Sequence, residues 1–436
     1  MSEKTILVWF RNDLRVHDNE ILLEATRKAD KVLPVYCFDP FYFDATTKGL
    51  HKTGNIRAKF LLESIADLRE NLRKLGSELI VRTGNPADII PQLAQQYHVS
   101  EVYHHREVAF EETEISEVVE TALWKMKLNL KHFIGHTLYH KEDLPFPIKD
   151  IPDSFATFKK KVERDSEVRP CIETPRSIDT PEIADAGIIP TLAELGLTEP
   201  VDDPRADFHY TGGETTALQQ LRHYTERLDL SQSNKAAKHH NDNPSRLSAW
   251  ISLGCLSQRM VYHEAVKRTG NTHASGSPLI IELQWRDYFR FMFKKYGKQF
   301  FNAEGFSAEA PEVSQNQAGL FEQWKSGHTG APFIDAAMHE LNATGYINNL
   351  KRQVAAAFLI NTLKVDWTKG AAWFEEKLID YSPASNRGNW AFIAGVANDA
   401  RDNRYFSGVK QAENPETASN FIDTWLPDNS DQLVTA

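Results

Sequence analysis

This chain is poor in cysteine. Cys37, Cys171 and Cys255 are the only three in 436 residues, and they lie far apart. An odd, scattered set excludes a disulfide framework and fits a reducing compartment. A basic excess is also missing. Fifty Lys and Arg stand against 60 Asp and Glu, a net charge of −10. Any nucleic-acid contact must therefore come from a local patch and not from an overall basic coat. No apolar run is long enough to span a bilayer, so no membrane partner is expected. The chain enters a strand-like segment directly, without a secretory-leader pattern, and a cytoplasmic location is expected. No Gly-x-Gly-x-x-Gly follows that first segment, which argues against a nicotinamide-dinucleotide site. Lys238-His239-His240 has no partners at metal-ligand spacing. A loop fits better, and no metal is expected. No internal repeat is evident.

What is present is an ordinary globular composition, 41% hydrophobic and 25% charged, in a chain long enough for two cores. Over the first 135 residues short apolar runs alternate with helix-like segments. Thr5–Phe10, Val32–Phe38, Leu79–Arg82, Glu101–His104 and Leu128–Phe133 read as strands. Asn55–Leu75, Pro86–Tyr97 and Glu111–Met126 read as helices between them. That order predicts an α/β domain with a parallel sheet. From Pro145 to Pro204 nine prolines interrupt any long regular element, and residues 136–209 read as an extended connector. From residue 210 to 436 helical periodicity dominates, which predicts an all-helical domain. Seven of the nine Trp lie there. Taken singly, such residues are ordinary core aromatics.

The richest stretch runs from Gly345 to Trp390. It reads Gly-Tyr-Ile-Asn-Asn-Leu-Lys-Arg-Gln, then Val-Asp-Trp, then Leu-Ile-Asp-Tyr-Ser-Pro-Ala-Ser-Asn-Arg-Gly-Asn-Trp. Buried polar groups are costly unless paired, so this many in an apolar helical context need something polar to hold. A flat heteroaromatic cofactor with hydrogen-bonding edges would serve, and Trp side chains along the segment could pass electrons to it.

This stretch resembles the flavin-binding domain of the photolyase/cryptochrome family, and in detail its DASH-type members. The resemblance covers nearly the whole chain. Val8-Trp9-Phe10-Arg11-Asn12-Asp13-Leu14-Arg15-Val16-His17-Asp18-Asn19 is similar to the family's N-terminal signature. Lys52-Thr53-Gly54, Gly135-His136-Thr137-Leu138-Tyr139-His140, Asp143-Leu144-Pro145-Phe146 and Gly395-Val396-Ala397-Asn398-Asp399 resemble DASH-type segments. The implied fold is a Rossmann-like α/β antenna domain joined to a helical FAD-binding domain.

The resemblance also implies site residues. Ser245, Arg246, Leu247 and Ser248 match a segment that cradles the flavin diphosphate, though Pro244 replaces the family's Thr. By themselves they read as an ordinary helix cap. The family's upstream Tyr would fall near Ser231 or Gln232. Glu282, Trp285, Arg286 and Phe289 fall on one helical face by spacing. There the resemblance makes Arg286 a flavin contact and gives Glu282 and Trp285 to a lesion cavity, with Glu282 also near the cofactor. Asn349, Arg352, Asp380, Tyr381 and Ser382 would surround the ring, and Asn386 would face its N5 edge. Ser382 stands where the family has a second Asp. Trp390 would be the redox Trp nearest the flavin and Trp367 the middle one. The outer one would fall near Ser314, so Trp373, Trp324 or Tyr381 are the candidates to end the route. Glu107 is the implied contact for a folate antenna, 5,10-methenyltetrahydrofolate, although a lone Glu is more often a surface residue. Trp285, Arg290, Gln353 and Lys410 are the implied DNA contacts, with Lys294, Lys295, Lys298, Lys351 and Arg404 as further basic residues.

The implied function is blue-light-dependent repair of cyclobutane pyrimidine dimers, preferentially in single-stranded DNA, by a monomer carrying reduced FAD. Extrusion is cheapest where pairing is already lost. The alternative is a blue-light photoreceptor that signals through flavin redox state with little or no repair. Repair of (6-4) photoproducts ranks last, because the Asn349–Phe358 segment offers Gln353 and no acid–base His. A cofactor-free nucleotide-binding protein is a fourth reading.

Overall fold

The computed structural model describes residues 3–44, 50–233, 245–269, 278–397 and 415–426, without the side chains of 227–233, 269 and 415–418. The chain forms two compact units. Unit 1 comprises residues 1–44, 58–198 and 211–297, and unit 2 comprises residues 45–57, 199–210 and 298–436.

Unit 1 contains a five-stranded sheet in the order β3-β2-β1-β4-β5, built from β1 (Thr5–Phe10), β2 (Lys31–Phe38), β3 (Ile80–Thr83), β4 (Val99–His105) and β5 (Asn129–Phe133). Every pairing is parallel. Between the strands come α1 (Glu20–Lys28), α2 (Asn55–Lys74), α3 (Pro86–Gln96) and α4 (Phe110–Lys125). Period-2 alternation sends Leu7, Trp9, Leu33, Val35, Cys37 and Val102 to one face, where they pack on Ile90, Leu93, Ala94, Val119 and Leu123. The predicted strands and three predicted helices are present with small shifts of boundary. Helix α1 was not predicted. It is a short amphipathic element capped by Asn19, whose side chain accepts from the Leu22 amide.

The proline-rich stretch is not extended throughout. Between Pro152 and Pro170 it carries α5 (Phe155–Asp165), which buries Phe155, Phe158 and Val162. Unit 1 continues with α6 (Glu214–Ser233), α7 (Ser248–Ser252), α8 (Gln258–Thr269) and α9 (Pro278–Tyr296). The N-terminal signature holds these helices to the sheet. Arg15 donates to the Gly254 carbonyl, His17 pairs with Glu214, and Asp18 pairs with Arg259.

Unit 2 is helical among its described residues. It contains α10 (Gln317–Ser326), α11 (Pro332–Thr344), α12 (Asn349–Ala357), α13 (Trp367–Lys377), α14 (Pro383–Ile393) and α15 (Pro415–Trp425). A π turn at Phe358–Thr362 continues α12. No described helix is long and apolar enough to cross a membrane.

Candidate functional site

In unit 2 the 345–390 stretch contains a buried ion pair between Arg352 and Asp380. Arg352 Nη2 lies 2.9 Å from Asp380 Oδ2, and Arg352 Nε donates to the Ile347 carbonyl at 2.7 Å. Asp380 is only 7% exposed. Burial works against the Arg352 charge, but Asp380 and Tyr346 hold the guanidinium above its ordinary value. Such a pair is a poor stability device and makes better sense as a fixed electrostatic element. Its backbone is positioned by Gly345, which caps α11 at φ 69° and accepts from the Ile379 amide at 2.8 Å. Asn348, not Asn349, caps α12, and its side chain accepts from Lys351 N. Asn349 is left exposed, one turn before the exposed Gln353.

Asn386 and Trp390 follow on α14, one turn apart. Asn386 Nδ2 donates to the Ala371 carbonyl at 2.9 Å, so its amide is held in one orientation. Ser382 is buried at the N-cap of α14, and the Ser385 hydroxyl is buried without a hydrogen-bond partner. The Tyr381 ring faces the Arg57 guanidinium at 4.7 Å. Arg57 also donates to the carbonyls of Glu375 and Leu378 at 2.6 and 3.1 Å. The Lys52-Thr53-Gly54 segment belongs to this corner of unit 2. Gly54 N donates to the Glu376 carbonyl, and a Cβ on Gly54 would come within 2.6 Å of that oxygen.

Three aromatic residues cluster here. Trp324 and Trp390 are edge to face at 6.1 Å, and Phe374 lies 5.1 Å from Trp390 and 5.8 Å from Trp324. Trp367 is buried and donates to the Ala303 carbonyl at 2.8 Å. Trp367, Gly370 and Phe374 share one face of α13 by spacing. Ser314 donates its amide to the Lys364 carbonyl.

Unit 1 contributes three features. Before α7, Arg246 adopts φ 54° and Leu247 is buried. The Ser248 hydroxyl is buried with no hydrogen-bond partner. Asn243, Pro244, Lys238–His240, Asn398, Asp399, Arg404 and Lys410 lie outside the described residues, as do the side chains of Ser231 and Gln232.

On α9, Glu282 is exposed while Trp285 and Arg286 are half-buried. The helix also buries two polar residues that sequence reasoning missed. Gln284 donates to Glu163 at 3.1 Å, and Asp287 accepts from the Leu138 and Tyr139 amides at 2.9 Å each. Their signal was present: two polar residues sit on the same face as Leu283 and Phe291. Burial pushes the Asp287 carboxyl up to about 7.

The third feature lies where β1 and β4 end, the switch point of the sheet, at which α/β folds commonly bind ligands. Glu107 is not a surface residue: it is 2% exposed. Arg290 Nη2 and Asn12 Nδ2 each donate to it at 3.0 Å, and His136 Nε2 lies 3.5 Å away. Burial opposes its ionisation, yet His136, Arg290 and Arg11 hold its carboxyl below the usual range. Burial pushes His136 itself down to about 3, so at neutral pH the two guanidinium groups carry that effect. Asp13 accepts from His105 at 2.7 Å, and Gly135 lies directly against the His105 ring. Arg290, expected among DNA contacts, is thus engaged inside unit 1.

Residues 6–178 match the DNA photolyase family, and residues 279–433 match the FAD binding domain of DNA photolyase. Cryptochrome DASH from Gloeobacter violaceus is 44% identical over 98% of this chain and 86% of its own length. The chain belongs to the cryptochrome DASH group of the photolyase/cryptochrome family. The tomato (Solanum lycopersicum) relative, named cryptochrome DASH, chloroplastic/mitochondrial, is 40% identical over 97% of this chain and 77% of its own. The crystal structure of a Synechocystis sp. cryptochrome superposes with a TM-score of 0.91 at 40% identity, covering 98% of this chain and 90% of that one. The α/β sheet domain followed by a helical FAD-binding domain is therefore the fold of this cryptochrome DASH family member, as the sequence predicted.

The residues present suit an FAD. In unit 1 the Ser248 hydroxyl is buried without a hydrogen-bond partner. Unit 2 offers a buried cation–carboxylate pair and an amide locked by Ala371. These are donors and acceptors suited to a polar heteroaromatic ring.

Proposed function

We propose that this chain repairs cyclobutane pyrimidine dimers under blue light, preferentially in single-stranded DNA. The observation that carries this reading is the placement of Glu282 and Trp285 one turn apart on α9, which puts a carboxyl and an indole on one helical face. Reduced FAD, when bound, would lend one electron to the dimer and receive it back after the ring opens. The protein's part is positioning and electrostatics. Trp285 stacks on the extruded base, and Glu282 lies beside a thymine carbonyl that gains charge. Ser245, Arg246, Leu247, Ser248, Arg286, Asn349, Arg352, Asp380, Tyr381 and Ser382 hold the cofactor. Because Asn386 Nδ2 is tied to Ala371, its carbonyl oxygen is the group offered to an N–H on the ring edge.

Residues 1–135 act as the antenna domain, 136–209 as the connector and 210–436 as the flavin domain of a cytoplasmic monomer. A folate antenna, 5,10-methenyltetrahydrofolate, is assigned to Glu107. Trp285, Gln353 and Lys410 contact DNA, whereas the pairing of Arg290 with Glu107 moves Arg290 to the antenna side of this assignment.

A photoreceptor without repair activity is favoured by one observation. Ser382 is buried, and the resemblance puts a second carboxylate at its position, so a hydroxyl there would change the potential available for electron donation. One experiment separates the two. Reduced protein is illuminated with dimer-containing oligothymidine and dimer loss is scored. Loss that depends on light and on Glu282 supports repair, and its absence from fully reduced, FAD-replete protein leaves the photoreceptor. A preparation without absorbance near about 450 nm that refuses added FAD removes both.

A further inference from the structure

Helices α13 and α14 are joined at two neighbouring points. Ala371 and Glu375 lie one turn apart on α13, and Asn386 and Arg387 are consecutive on α14. The Ala371 carbonyl accepts from Asn386 Nδ2 at 2.9 Å. Glu375 Oε2 pairs with Arg387 Nη2 at 3.6 Å. Glu375 is 7% exposed, and the Arg387 guanidinium also lies over the Phe301 ring at 5.2 Å.

The end of α13 that carries Glu375 is braced from the Lys52-Thr53-Gly54 segment. Lys52 Nζ donates to Glu375 Oε1 at 3.2 Å, and Arg57 Nη1 donates to the Glu375 carbonyl at 2.6 Å. Glu376 accepts from the His51 amide through its carboxylate and from the Gly54 amide through its carbonyl, both at 3.0 Å. Arg57 ties the segment to itself through Thr53 Oγ1 at 3.1 Å. A buried carboxylate shared by two cations is costly to desolvate, and as a stability device it is poor. What it does supply is a fixed geometry. The carboxylate is held by its own helix and by the brace, so Arg387 has one place to go. A slip of α14 along α13 would break the Arg387 pair and the Asn386 hydrogen bond together.

We propose that Glu375 is a positioning residue for Asn386: by holding Arg387 it sets the register of α14 on α13, and with it the amide offered to the flavin edge. This rests on the reading of Asn386 as that amide. An N–H stands at the N5 edge only in the reduced ring, so a well-placed Asn386 carbonyl favours reduced over oxidised flavin. One hydrogen bond of this kind corresponds to about two- to tenfold in that ratio.

The test poises FAD-replete protein at a fixed potential and reads the ratio of reduced to oxidised flavin by absorbance. Glu375→Gln keeps the size of the side chain and removes its charge. The ratio should fall by about two- to tenfold. Arg387→Met should lower it in the same sense. Those two variants remove charges of opposite sign, so a field acting directly on the ring would move the ratio in opposite directions, upward for Glu375→Gln. Asn386→Ala should lower the ratio, and adding Glu375→Gln to it should change nothing further. A parent ratio or a rise in Glu375→Gln overturns the proposal, and so does a further fall in the double variant, which a general loosening of the fold would produce. If Glu375→Gln does not fold, Arg387→Met decides by the same comparison, alone and combined with Asn386→Ala. A parent ratio in Asn386→Ala removes the Asn386 reading itself, whereas a fall there without one in Glu375→Gln removes only the role of Glu375.

Discussion

The Trp390 indole lies on the backbone of Gly370. A Cβ at Gly370 would come within 2.3 Å of Cη2 and 2.7 Å of Cζ3 of that ring, and within 2.5 Å of a Leu359 methyl. A glycine inside a helix forfeits about 0.5–1 kcal/mol against alanine, so its presence in α13 reflects the close approach. Gly370→Ala gains that propensity but overpacks a full site, at a cost of about 1–3 kcal/mol. It should lower Tm and, by displacing Trp390, slow photoreduction. Phe lacks the ring edge that would clash. Adding Trp390→Phe should therefore return much of the lost Tm, and thermal melts of the double variant that match the single one would refute the account.

Of Trp324 and Trp373, Trp324 is the better candidate to end the route that Trp390 and Trp367 begin. It is fully buried and edge to face with Trp390, and its Nε1 donates to the Ala355 carbonyl. Trp373 is less suited, because Lys325 and Lys377 hold ammonium groups 4.9 and 4.4 Å from its ring centroid. A cation on the ring face favours the neutral indole and opposes positive charge on it. Trp390→Phe should slow flavin photoreduction most, Trp324→Phe should slow it partly, and Trp373→Phe should leave it near the parent rate. Transient absorption reads all three. Parent kinetics in Trp390→Phe would remove the relay, and slowing by Trp373→Phe alone would reverse the outer assignment.

How far the sequence reached depends on whether a residue acts through periodicity or through long-range pairing. The strands were readable because β-branched and aromatic runs alternate with amphipathic helices. Helix α1 escaped because nine residues give too little periodicity, and only its Asn19 cap marked it. Helix α5 escaped because flanking prolines masked the proline-free stretch between them. The Arg352–Asp380 pair was anticipated from residue type and family pattern together. The burial of Glu107 was not, because its partners Arg290 and His136 come from distant segments. The same holds for Lys52-Thr53-Gly54, whose glycine is explained only by the Glu376 carbonyl against it.

Arg352 tests the electrostatic part of the cofactor reading. Its guanidinium uses separate nitrogens for Asp380 and for the Ile347 carbonyl. A lysine offers one point charge and cannot hold both in the same geometry. Arg352→Lys should therefore retain charge but loosen Asp380, weakening FAD retention. Arg352→Ala leaves the Asp380 carboxylate buried without its cation, a loss of about 3–5 kcal/mol. FAD content after gel filtration should fall in the order parent, Lys, Ala, and Tm should follow. Equal FAD content across the three would detach this pair from the cofactor.

Asp287 gives the protein a pH dependence of stability whose sign follows from its burial. Its carboxyl is pushed up to about 7, mainly by burial, against two backbone donors and the charges of Arg290 and Arg286. An unfolded Asp releases its proton near pH 4. Between those values the folded chain holds a proton that the unfolded chain has lost. The stabilisation is thus complete under acidic conditions and disappears as pH rises through about 7. Glu112 acts in the same sense, raised to about 8 by burial and then by the nearby Glu107 charge. The contribution is about 1.4 kcal/mol for each pH unit over which the two states differ by a proton. Asp287→Asn fixes the group neutral. It keeps one acceptor for the Leu138 and Tyr139 amides in place of two, so its Tm should be lower throughout. Its decline in Tm between about pH 5.5 and about pH 8.5 should nevertheless be shallower than the parent's. Parallel melting curves for the two proteins across that range would show that Asp287 does not titrate there.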